Sequence, residues 1–263
     1  MQAILDFVHD HPNWVGFAVV AATLCGSGLL MPQLRRAFRP GPLPDEVNDG
    51  AMDAMKALAT FLVFVLAVSL NQVMTQQRQA EELVQREASL QTQVDRGLAR
   101  IGVPALAAQR PVLVAYMRAL VEREWPAMAR GEHSEEAAEL LGQVQRAVRL
   151  AEVQTPRQQA VFTDLLRSME QLSDTRYARL QMSRQGLPAL FYAVVAAGFV
   201  LLLPVCALTH GNPRSMLLTG TIIASVSLLF TLVMVIDRPF RGETQVSPTP
   251  IILAIERNLA RLP

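Results

Sequence analysis

"ALATFLVFVLAVSLNQVMTQQRQAEELVQREASLQTQVDR", residues 57–96, changes character at its middle without changing its backbone signal. Residues 57–70 are almost wholly apolar, and Val73 and Met74 extend the run; Met52 to Met55 lengthen it on the other side. From Gln76 to Arg96 the residues are Gln, Glu, Arg and Ala with apolar positions at helical spacing. No Gly or Pro separates the halves. A lipid-soluble segment therefore runs into a water-soluble one as a single predicted helix, about 70 Å long at 1.5 Å per residue.

Three further apolar segments flank this one: 14–31, 187–208 and 215–236. About 20 apolar residues cross a hydrocarbon core. The last two meet that length easily, while the first is weakened by Gly26, Ser27 and Gly28. With 51% hydrophobic residues unevenly spread, the composition points to membrane spans rather than one large soluble core. The predicted fold is an all-α integral membrane protein with four transmembrane helices. Residues 1–74 hold spans one and two, 75–186 a helical soluble domain, 187–236 spans three and four, and 237–263 a tail packing on the soluble domain or a neighbouring subunit.

The soluble domain shows three apolar stripes of helical period: Leu113 to Val121, Ala137 to Ala151 and Val161 to Leu172. Breaks fall at Gly97–Pro104, Gly131–Ser134 and Thr155-Pro156, the last two with good helix starts at Ser134 and Thr155.

Charge excludes some classes. The net charge of +1 gives no case for a nucleic-acid partner. Cys25 and Cys206 lie in apolar runs, and no metal site or cofactor is expected. The opening residues hold Asp6 and Asp10 and no Lys or Arg, so no signal peptide is expected. His9, His11, His133 and His210 have no catalytic partner, and no phosphate loop or nucleophile motif occurs; an enzyme is not expected. Membrane-end cations conflict on orientation. Arg78, Arg86, Arg176, Arg179, Arg184, Arg238 and Arg241 on the bundle side outnumber Arg35, Arg36, Arg39, Arg214 and Lys56 on the other. The small excess leans to a cytoplasmic bundle, whereas Arg35, Arg36 and Arg39 after an N-terminus without Lys or Arg, taken alone, put the bundle outside. The expected location is an inner membrane.

The ordered set "FLVFVLAVSL", Glu87-Ala88, "YMRALVEREWPAM" at 116–128, "RYARLQMSRQGLPALFY" at 176–192 and "DRPFRGETQVSP" at 237–248 resembles the bestrophin-like domain family, relatives of bestrophin ion channels. The resemblance runs from about residue 50 onward. It implies a four-span protomer, a cytoplasmic helical domain and a ring-shaped homo-oligomer, a pentamer by analogy, that passes inorganic ions across a lipid bilayer. It also implies an apolar neck on span two.

Ala57, Phe61, Phe64, Val68, Asn71 and Thr75 share one face of that span at steps of four and three. Ala57, Phe61, Phe64 and Val68 are the neck candidates, and Asn71 and Thr75 form a polar pore end. A narrow apolar ring can gate by dewetting. The same stripe could instead face lipid or neighbouring helices. Asp49 and Asp53, in an acidic run with Asp45 and Glu46, would sit at the pore mouth, or in a plain solvated loop; they give a slight lean to cations. Trp125 is expected to anchor a helix or subunit contact, with Pro126 bending the helix. Pro239-Phe240-Arg241-Gly242 matches, with one insertion, a Pro-Phe-Gly segment that in bestrophins leads into a calcium-binding acidic cluster. Here only Asp237 and Glu243 remain, too few for calcium. Pro239 and Phe240 are read as a mechanical exit, with Val246–Pro250 extended along a neighbour. The rival reading is a non-conducting sensor or scaffold using the bundle as input or interaction domain. A proton-driven stator ranks last, because no span carries a carboxylate at its middle.

Overall fold

The structure, a computed structural model, describes residues 13–38, 41 and 43–261. His9, His11, Asp6, Asp10 and Arg39 lie outside the described residues. Among the described residues every regular element is helical: α1 (Asn13–Phe38), α2 (Asp45–Arg100), α3 (Pro104–Ala107), α4 (Arg110–Ala119), a π-turn (Leu120–Glu124), α5 (Trp125–Met128), α6 (Glu135–Arg149), α7 (Pro156–Arg184), α8 (Ala189–Ala207), α9 (Pro213–Ile236) and α10 (Thr249–Leu259).

The 56-residue α2 is unbroken through the change of character at its middle. It starts earlier than expected. The acidic run is not a loop: Asp45 to Asp53 form the first turns of the helix. Pro44 lies just before the first turn, its carbonyl accepts from Val47 and Asn48, and carboxylates there complement the helix dipole. Among the described residues, three helical runs are long and apolar enough to cross a membrane: Asp45–Arg100, Pro213–Ile236 and Pro156–Ala207. The apolar part of the last is α8, set off from α7 at residues 185–188.

The chain divides into two compact units. Unit 1 is residues 1–75 and 186–237; unit 2 is 76–185 and 238–263. In unit 1, α1 packs on α8 and α9. Its core joins Met55, Leu62 and Leu66 of α2 to Val195 and Leu202 of α8 and Ile223 and Val226 of α9. The contact is close because α8 has Gly198 opposite Leu62: a Cβ there would lie 2.4 Å from Leu62 Cδ2. Small residues set backbone approach where no hydrophobic effect drives helices together.

In unit 2 the core joins Val84, Val94 and Leu98 of α2, Leu113, Tyr116 and Met117 of α4, Leu141 and Val144 of α6, Leu165 and Leu172 of α7, and Ile251 of α10. Helices α6 and α7 start where the caps predict. Ser134 Oγ accepts from Ala137 N, and Thr155 and Gln158 form a reciprocal capping box. The bend expected at Pro126 is a π-turn immediately before it. Proline cannot donate to the preceding turn and crowds its carbonyl; one extra residue in the turn relieves that. The turn also buries Glu124 and Trp125 together.

Candidate functional site

Three groups of residues have the geometry of a function. The first is the outer face of α2 within unit 1. Leu62, Leu66, Ser69 and Val73 are buried against the other helices of that unit. Phe61, Phe64 and Val68 are 51%, 68% and 56% exposed, and Ala57, Asn71 and Thr75 are exposed in line with them. The stripe is thus the face of α2 that its own chain leaves uncovered. Thr75 Oγ1 donates back to the Asn71 carbonyl at 2.8 Å, so its hydroxyl hydrogen is engaged while its oxygen stays accessible. At the start of the helix, Asp49 and Asp53 are exposed. Lys56 Nζ donates to Asp53 Oδ1 at 2.9 Å, and His210 lies 3.1 Å from Asp45 Oδ1. Lys56 balances one charge of the four carboxylates and the run stays net acidic.

The second group is the exit after α9. Asp237 is buried in unit 1 and holds the ends of two helices together. Its Oδ1 accepts from Leu187 N at 2.6 Å and its Oδ2 from Tyr192 Oη at 2.8 Å. Gly186 permits the approach, since a Cβ there would meet Oδ2 at 3.1 Å. Asp237 is therefore a helix clamp and not a spare carboxylate. In unit 2, Phe240 is buried with its ring centroid 5.8 Å from that of Trp125, edge to face. Trp125 Nε1 donates to the Val246 carbonyl at 3.1 Å, and Val246 N donates to the Pro239 carbonyl at 2.7 Å. Gly242 closes this turn at φ +82°, a conformation that a side chain would strain. The extended run expected over Val246–Pro250 is cut short by a helix. Val246 is buried in its own chain, and α10 begins at Thr249. Pro250 in the first turn and apolar Ile251 and Ala254, three residues apart, are the signals that could have revealed that helix.

The third group escaped the sequence reading. Glu87, Glu124 and Arg179 are completely buried in unit 2, with Arg176 nearly so. Arg179 Nε donates to Glu87 Oε2 at 2.6 Å and Nη2 to Glu124 Oε1 at 2.7 Å. Arg176 donates from Nε to Glu124 Oε1 at 3.2 Å and from Nη2 to Oε2. Tyr116 Oη donates to Glu87 Oε1 at 3.2 Å, and the Arg179 guanidinium lies 5.2 Å from the Trp125 ring centre. Two carboxylates and two guanidiniums cancel, as burial of charge requires. Burial resists ionisation of Glu124, but the Arg176 bonds and the Arg179 charge outweigh it and hold its carboxyl below the usual value. Burial, then the Glu87 charge, pushes the Tyr116 phenol well above its usual value. Arg176 and Arg179 are therefore not cations at a membrane end. Without them the two sides count five arginines or lysines each, and the charge argument for orientation lapses.

A model of the bestrophin-like domain matches residues 18–251. The chain belongs to the bestrophin-like family. Solved structures agree in fold. A bacterial bestrophin homologue from Klebsiella pneumoniae is similar over 93% of this chain and 97% of its own, with TM-score 0.65 at 13% identity. A singly substituted variant of it reaches TM-score 0.67 at 12% identity, covering 94% and 98%. A crystal structure described as a membrane protein gives 0.67 at 14% identity, covering 93% and 97%. Comparison with curated proteins finds no match. Family and membrane-length helices together make this bestrophin-like chain a membrane protein.

Proposed function

We propose that this bestrophin-like protein is a homo-oligomeric membrane ion channel whose central pore is lined by α2. The observation that carries the reading is the uncovered stripe of Ala57, Phe61, Phe64, Val68, Asn71 and Thr75. Two phenylalanines and a valine in line form an apolar constriction when the same face of several copies surrounds one axis, and Asn71 and Thr75 continue it as a polar end. Four spans, a pentamer, an inner-membrane location and a cytoplasmic helical unit belong to this proposal. They rest on the family resemblance. Asp49 and Asp53, repeated around a mouth, lean the channel toward cations.

The test is current through a bilayer holding the purified protein between unequal sodium chloride solutions. Openings are expected, with a reversal potential on the sodium side. Phe61→Ala with Phe64→Ala should raise the current several-fold by widening and wetting the constriction. A correctly assembled protein that stays silent, with the alanine variant silent too, would overturn the channel and favour a non-conducting sensor or scaffold.

A further inference from the structure

The end of α2 carries a concentration of arginine that ion conduction does not use. A cleft of about 450 Å³ in unit 2 is lined by Asp95, Arg96, Ala99, Arg100, Arg110 and Arg261. Its one carboxylate is already engaged. Arg110 Nε donates to Asp95 Oδ1 at 2.8 Å and Nη2 to Oδ2 at 3.2 Å, with both residues buried. Nη2 also donates to the Arg261 carbonyl at 2.9 Å, which fixes the guanidinium in place. These bonds use three of its five hydrogens. No acceptor among the described residues takes the two on Nη1.

The other three arginines add charge. Arg96, Arg100 and Arg261 have no carboxylate within 4.0 Å among the described residues. Arg96 and Arg100 are one turn apart on α2, where like charges repel. A cation near the C-terminus of a helix complements its dipole, and that accounts for Arg100 at the end of α2 and for Arg261 just past α10 taken singly. It does not explain why α4 and the end of α10 bring Arg110 and Arg261 to the same place. The cleft has the size of a small-ligand site. Planar guanidinium forks match phosphate oxygens and bind them by charge-assisted hydrogen bonds.

We infer that this cleft binds a phosphate anion carrying two or more charges. The anion relieves the repulsion among Arg96, Arg100 and Arg261 and takes the free Nη1 hydrogens of Arg110. Free phosphates and phosphate headgroups of lipids share this chemistry.

The test is calorimetric titration of the full-length protein in detergent, at low salt, with inorganic pyrophosphate and separately with the soluble short-chain lipid dihexanoyl phosphatidate. Melting temperature serves as a second readout. Saturable binding is expected, weakened at least about tenfold in the double variant Arg100→Ala, Arg261→Ala. It should stay unchanged in Arg118→Ala, which removes an exposed arginine outside the cleft. Pyrophosphate binding lost in the double variant assigns a free anion; binding and loss seen with phosphatidate alone assigns a headgroup. No heat and no rise in melting temperature with either probe would overturn the site. So would binding that survives in a folded double variant. Neither readout involves current, so this inference and the channel reading can fail separately.

Discussion

At the scale of single residues, Arg179 is the most consequential side chain in unit 2. It is completely buried and answers two carboxylates at once. Removing one member of a buried ionic group leaves the others desolvated and unpaired, which costs about 3–5 kcal/mol. Arg179→Met should lower stability by that amount, read as a fall in melting temperature of the purified protein, and Glu87→Gln in the same chain should recover part of it. A fall under about 1 kcal/mol would mean that water reaches the cluster. The acid response follows from Glu124. Its folded-state value lies below the ordinary 4.5, so its stabilisation is complete above about pH 4.5 and is lost as pH drops through the lower folded value. Glu124→Gln should therefore be less stable at neutral pH and fall less steeply on acidification. A parallel acid limb in a pH series of melting curves would refute this. None of this cluster was legible in the sequence. Arg176 and Arg179 look like headgroup cations beside a span, and Glu124 lies in a charged run. Partners separated by 52 and 92 residues leave no local pattern.

At the scale of elements, more was legible. The continuity of α2 through its middle follows from the absence of Gly and Pro between residues 51 and 96, and α6 and α7 announce themselves by cap residues that satisfy free N–H groups. The π-turn was not, because the sequence shows only that Pro126 must disturb a helix. The close passage of α8 over α2 was hidden too: Gly198 is one small residue among many in an apolar run. A Cβ at 198 would lie 2.4 Å from Leu62 Cδ2 and 3.1 Å from Cγ, and Leu62 is fully buried with little room to turn. Gly198→Val should cost about 1–3 kcal/mol by overpacking. Leu62→Ala in the same chain should restore much of the loss, because the added methyls then fill the vacated space. A double variant that melts at or below the lower of the two singles would show that the helices do not meet at this pair.

At the scale of the whole molecule, one sequence cannot reveal which apolar surface meets lipid and which meets a second copy, because both are simply uncovered. Phe64 and Val68 on α2 are exposed, and so are Leu201 on α8 and Leu218 on α9. If the α2 stripe lines a shared axis, it is the narrowest meeting place of the subunits, while a lipid-facing residue on another helix is far from its copies. Cysteine chemistry separates the two. With Cys25 and Cys206 replaced by Ala, the chain has no other thiol. Val68→Cys in that background should form intersubunit disulfides under mild oxidation in membranes, seen as dimer bands that reductant abolishes, because a disulfide needs Cβ atoms within about 4.5 Å. Leu201→Cys should remain monomeric. Equal crosslinking at both positions would reflect random collision. A monomeric Val68→Cys beside a crosslinking Leu201→Cys would place the axis on α8 and remove the α2 pore. Because no current is measured, the experiment tests the architecture even if the channel is closed under every condition tried.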